Sequence, residues 1–162
     1  MIGEIMSTVI AERRGPVRTL GVLSVILGLI FIVAGAVTWG LVSSNLAAER
    51  ITVAEDASSF AGQSVNSPWT AWSQADIIQH HALKASGGKT YAELDREDPV
   101  RDTMMTASFL RASLFTSVVS FGVALFAVGV GVLSLIVGWA LMLLGRRPVA
   151  VAPAVAPAAT TV

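Results

Sequence analysis

Residues 112–145 read ASLFTSVVSFGVALFAVGVGVLSLIVGWALMLLG, and none of them is charged. A helix needs about 20 consecutive apolar residues to cross the hydrocarbon core of a bilayer, so this run has length to spare. A second uncharged run occupies residues 19–48. Two such runs joined by one loop predict an all-α fold: an integral membrane helical hairpin of two transmembrane helices with a small extracytoplasmic helical loop domain.

Residues 20–42 supply the first span and carry 14 residues of the Leu, Ile, Val and Phe type. At roughly −0.3 to −0.6 kcal/mol each, they favour insertion by about 4 to 8 kcal/mol, with no charge to oppose it. Pro16 suits the first turn of the helix, where its missing N–H costs nothing. Trp39 falls near the far end, at the level where amphipathic rings sit among lipid headgroups. A cleaved signal peptide is the competing reading, with Ala34-Gly35-Ala36 as its cleavage site. The apolar run continues past that point through Trp39 to Val42, which is too long for such a segment. Arg13-Arg14 is not followed by the apolar pair that a twin-arginine signal needs.

The loop carries the local signals of short helices. After a β-prone Ile51-Thr52-Val53, Ser67 reads as an N-cap with Pro68 at the first helical position. That helix runs to about Ala85 and stops at Gly87-Gly88. Thr90-Tyr91-Ala92-Glu93 reads as a capping box opening a further turn or two. Asp98-Pro99 repeats the cap-plus-proline start, and no breaker follows until Gly145. The second long helix can then reach about 69 Å at 1.5 Å per residue, far beyond the hydrocarbon core, so its first turns form a stalk. The expected segments are an N-terminal piece (1–15), the first membrane helix and its outer extension (16–48), the loop domain (49–98), stalk and second membrane helix (99–145), and a disordered Pro/Ala-rich tail (146–162).

Charge placement sets the expected orientation. Arg13, Arg14 and Arg18 flank one end of the hairpin, and Arg146 and Arg147 the other. The stretch 43–111 holds six basic and nine acidic residues. The positive-inside rule puts both termini in the cytoplasm and the loop outside the plasma membrane of a bacterium. The bias of nine Arg against two Lys, with much Ala and Val, reads as a GC-rich bacterial genome.

Small residues recur every seven positions. Gly21, Gly28 and Gly35 do so in the first span, and Ser117, Ala124, Gly131, Gly138 and Gly145 in the second. This period keeps them on one stripe of a left-handed helix pair, where small side chains let backbones approach. The stripe can face the other helix of the hairpin or another protein. Gly122 and Gly129 mark a second stripe and so a second contact.

Sites for chemistry are scarce. With no Cys there is no thiolate ligand, Cys nucleophile or disulfide. Neither span holds Asp, Glu, Lys, Arg or His, which proton relays, ion paths and haem ligation require. Zero net charge without a basic cluster argues against nucleic-acid binding. His80 and His81 point about 100° apart on a helix and have no further His to complete a metal site. Asp76 sits four residues before His80, on the same helix face. Gly87-Gly88-Lys89-Thr90 resembles the tail of a phosphate loop, but Leu83 stands where that motif needs Gly. The mixed-charge run from Asp95 to Asp102 reads as helix capping plus exposed ion pairs, or as a polar docking surface. Trp69 and Trp72 open the loop helix, either packed on the stalk and headgroups or as anchors for a partner.

At residues 87–101 (GGKTYAELDREDPVR), 107–119 (ASFLRASLFTSVV) and Gln74-Ala75-Asp76-Ile77-Ile78, the chain resembles a family of small two-span actinobacterial membrane proteins. The resemblance covers residues 7–147, and the family is uncharacterised, so it transfers no functional residues. Its members sometimes carry the label of an aromatic ring-opening dioxygenase, which this chain, lacking an iron-binding triad, does not support. In size and topology the chain is also similar to small accessory subunits of actinobacterial respiratory supercomplexes.

The expected function is that of a non-catalytic accessory, assembly or interaction subunit of a larger membrane complex. The external segment is too small to fold well alone and gains from a partner surface. The expected contacts are Trp69, Trp72, Asp95, Arg96 and Arg101, and the expected partners are other membrane proteins, a second copy of the chain, and lipid. No cofactor, metal, catalytic residue, nucleic acid or small-molecule substrate is expected. The alternatives are an envelope sensor signalling through its tail and, further off, a metal-dependent enzyme using His80, His81 and the loop carboxylates.

Overall fold

The structure, a computed structural model, describes residues 14–146. Segments 1–13 and 147–162 lie outside it, and with them Arg13, Arg147 and the Pro/Ala-rich tail. The described residues form helices α1 (Arg14–Ala48), α2 (Pro68–Ala85) and α3 (Arg101–Leu144), with one 3-10 turn at Tyr91–Glu93. No strand occurs among them. The β-prone Ile51-Thr52-Val53 forms a single antiparallel bridge, Thr52 to Ser64.

Local chemistry sets most of the element ends. The Ser67 hydroxyl accepts from the Thr70 amide, the Thr70 hydroxyl accepts from the Ser67 amide, and Pro68 opens α2. At the other end Gly87 and Gly88 adopt φ of +65° and +87°, and the Gly88 amide donates to the Leu83 carbonyl at 2.7 Å. Left-handed glycines closing the last carbonyls are a common helix stop, so Gly-Gly-Lys-Thr terminates a helix here. The Glu93 carboxylate accepts from the Thr90 amide and hydroxyl, both at 2.7 Å, and those bonds hold its pKa below the ordinary 4.5. The second long helix begins at Arg101, two residues later than the sequence suggests. Asp98 is the reason: its carboxylate accepts from the Val100 amide and its carbonyl from Arg101, so a capping turn occupies 98–100. With 35 and 44 residues, α1 and α3 measure about 52 and 66 Å at 1.5 Å per residue.

The chain divides into two compact units. Within the first, residues 14–26 lie antiparallel to 134–146. Gly21 abuts Gly138, and the Ser24 hydroxyl donates to the Ser134 carbonyl at 2.9 Å. The second unit, Leu27–Leu133, contains the rest of both long helices and the whole segment between them. Its main core gathers Leu46 from α1, Val53 and Val65 from the loop, Ala71 and Ala75 from α2, and Leu114 and Phe121 from α3. Backbone bonds Val53 to Gln63, Gly62 to Val53 and Val65 to Ile51 fold the loop back on itself and drive Val53 and Val65 inward. A smaller core joins Ala82, Leu94 and Met104. Loop residues thus share their buried core with residues of both long helices.

Candidate functional site

Two places bring the singled-out residues together: the seam between α1 and α3, and a cleft beside α2.

At the seam the backbones touch. A methyl group built on Gly131 would lie 2.7 Å from the Gly28 carbonyl oxygen and 2.6 Å from Ile32 Cγ1. One on Gly138 would meet the Gly21 carbonyl at 2.7 Å, and one on Gly21 the Gly138 carbonyl at 2.8 Å. On Gly35 it would meet the Ala124 carbonyl at 2.6 Å. Of the two orientations open to the stripe, these five glycines and Ala124 thus face the other helix of the hairpin. Ser117 is half-buried and turns its hydroxyl to the Ser113 carbonyl of its own helix. Gly122 and Gly129 have open space around them, so no second contact forms there among the described residues.

The cleft has a volume of about 410 Å³. Trp69, Trp72 and Asp76, at spacings of three and four, share one face of α2 and form one wall. Phe60 and Ser58 form the other, and Val118 of α3 contributes to the lining. The two indoles are 68% and 56% exposed, large values for tryptophan. Trp72 nonetheless has a partner: its ring meets the Phe115 ring edge-on at 5.0 Å, and the Arg111 guanidinium lies 5.0 Å from the same Phe115 ring. Phe60 holds φ of +60°, which a bulky side chain adopts only under strain of about 1–3 kcal/mol. The strain is held by the turn around it. The Gln63 amide donates to the Phe60 carbonyl at 3.0 Å, and the Ser73 hydroxyl ties the Ser59 carbonyl to α2 at 2.6 Å.

The charge run caps the start of α3 through Asp98, as the sequence suggests, but not with the expected ion pairs. Arg101 turns inward: its guanidinium sits 4.1 Å from the Tyr91 ring centroid and donates to the Leu94 carbonyl at 2.6 Å. It clamps the 3-10 turn to the start of α3. Asp95 and Arg96 are exposed. No ion pair forms within the run among the described residues, because Asp98 and Arg101 are taken up by backbone groups.

The histidine pair also departs from its spacing. It is His81, not His80, that finds a carboxylate, and the carboxylate is Asp56 rather than Asp76, at 2.6 Å. This hydrogen bond holds the Asp56 carboxyl below its ordinary 3.8. Both partners are largely exposed, so the bond adds little to stability. The His80 ring centroid lies 6.4 Å from that of His81. Among the described residues no three or more His, Asp or Glu side chains converge as metal ligands would.

Set beside protein-family models, curated proteins and solved structures, the chain matches none. The class that the described residues define is an all-helical chain with two helices, α1 and α3, long and apolar enough to cross a membrane. Phe60, the Arg101–Tyr91 clamp and the Asp56–His81 bond escaped sequence reasoning. Their partners are joined by tertiary folding at separations with no helical or strand period.

Proposed function

We propose that the chain is an integral membrane protein of a bacterial plasma membrane, with both termini cytoplasmic and the loop outside. In this reading it serves as a non-catalytic accessory or assembly subunit of a larger membrane complex. The observation that carries it is the exposure of its apolar helices. Only 17% and 22% of the most apolar 18-residue stretches of α1 and α3 are buried, against the mostly buried core helix of a soluble protein. Leu20, Ile30, Val33, Leu125, Phe126 and Leu133 are each more than half exposed. An apolar face of that extent requires lipid or protein against it. The accessory role draws support from the spans, which carry no ionisable residue, and from the free charges of Asp95 and Arg96 on the loop.

Extraction in mild detergent followed by identification of co-purifying proteins tests the role. A partner is expected in near-stoichiometric amount. Reversing both charges, Asp95→Lys with Arg96→Glu, is expected to lower its recovery severalfold while leaving the chain in the membrane fraction. Recovery of the chain alone from several mild detergents would sink the accessory role.

A further inference from the structure

We infer that the cleft between Phe60 and the Trp69–Trp72–Asp76 face of α2 binds an alkylammonium group, and that the group is the headgroup of a zwitterionic phospholipid in the outer leaflet. Three observations converge on it. The walls are aromatic: Phe60, Trp69 and Trp72 all line the cleft and all are exposed. Aromatic faces attract ammonium groups through the ring quadrupole, most strongly where water is partly excluded. Among the described residues the lining carries one charged side chain, the Asp76 carboxylate, and no Lys or Arg, so the cleft favours a cation over an anion. The third observation is the left-handed backbone of Phe60, which sets a bulky aromatic at the rim of the cleft when the same turn with Gly or Asn would be unstrained. Strain kept at one residue of a concave aromatic site points to a ligand at that site.

Position selects the source of the ammonium, and here the inference rests on the membrane reading above. Val118 in the cleft wall lies three residues outward of Phe121, against which Trp39 packs edge-on at 4.7 Å. Trp39 marks the outer headgroup level on the proposed orientation. Three residues of helix are about 4.5 Å, and the headgroup layer extends about 5–7 Å beyond the hydrocarbon. The cleft therefore opens within the layer where lipid ammonium groups reside.

The test uses the full chain in maltoside micelles, with Trp39→Phe and Trp139→Phe so that Trp69 and Trp72 alone report. Phosphatidylcholine is titrated in, with phosphatidylglycerol of the same acyl chains as comparison. A saturable change in indole emission is expected with phosphatidylcholine only. Tetramethylammonium chloride should compete with it, and sodium chloride at equal ionic strength should not. Asp76→Asn, a near-isosteric change at an exposed site, should weaken the response by about tenfold or more with the helical circular dichroism unchanged. Phe60→Gly should weaken it comparably, although Gly relieves the strained backbone. An equal response to phosphatidylglycerol, or an Asp76→Asn variant that responds like the parent, would overturn the inference. So would a response to a lysine-rich peptide and none to phosphatidylcholine, which would assign the cleft to a protein. A chain that stays in detergent yet ignores phosphatidylcholine defeats this inference alone, whereas a chain soluble without detergent defeats the membrane reading.

Discussion

Replacing Gly131 and Gly138 together by Leu is expected to force α1 and α3 apart while the chain stays in the membrane. The reason is where the added atoms would go. The Cβ alone would sit 2.7 Å from the carbonyl oxygens of Gly28 and Gly21 respectively. Those are backbone atoms of a continuous helix, and they cannot swing aside as a flexible side chain can. Helices in lipid associate mainly through close packing, so separation of the backbones removes most of what joins them. Each substitution should cost about 1–3 kcal/mol, the range for overpacked soluble cores. Insertion itself should not suffer, because Leu favours the bilayer. Gly122→Leu is the control, since nothing lies within 4 Å of its added Cβ. Thermal unfolding in mild detergent is the measurement. If the double variant melts with the parent and with the control, the seam contributes nothing to the pairing.

A second large effect is expected at Phe121→Ala. Phe121 is 1% exposed, shares a buried core with Val53 and Val65 of the loop, and meets the ring of Trp39 on α1. Removing a buried Phe side chain costs about 3–5 kcal/mol in soluble cores, from lost transfer energy and the cavity left behind. The loss should fall on the loop, whose buried side chains are few. Hydrogen exchange at the Val53 and Val65 amides should accelerate strongly, since both are held by bonds inside the 51–65 turn. Helical content should change little. Unaltered protection at those two amides would show that the loop holds itself together without α3.

How legible these features were follows from their range along the chain. Ser67, Pro68, Gly87, Gly88 and Thr90 are short-range signals, and α2 and the 3-10 turn begin and end where they fall. Hydropathy showed the two long helices for a related reason: an uninterrupted run needs no partner to be recognised. The glycine spacing showed a stripe but not its direction, because a seven-residue period is the same whether the neighbour is α1 or another protein. Contacts across the fold left no such trace. Arg101 reads as an exposed cation beside Arg96 and Asp102 until the 3-10 turn brings Tyr91 beneath it. Asp56 and His81 lie 25 positions apart, so only the folded loop joins them. The core that the loop shares with Leu46, Leu114 and Phe121 of the long helices is another such contact.

The central claim is that α1 and α3 cross one bilayer and leave the loop on the side opposite the termini. Because the chain has no native Cys, single introduced thiols can report on it directly. Lys89→Cys lies on an exposed part of the loop, while Ser7→Cys and Thr160→Cys lie near the two ends. A membrane-impermeant maleimide applied to intact cells is expected to label the first and to reach the other two only after permeabilisation. Labelling of a terminal thiol in intact cells, with Lys89→Cys protected, would contradict the orientation; release of all three variants from the membrane by alkaline carbonate would contradict the hairpin itself.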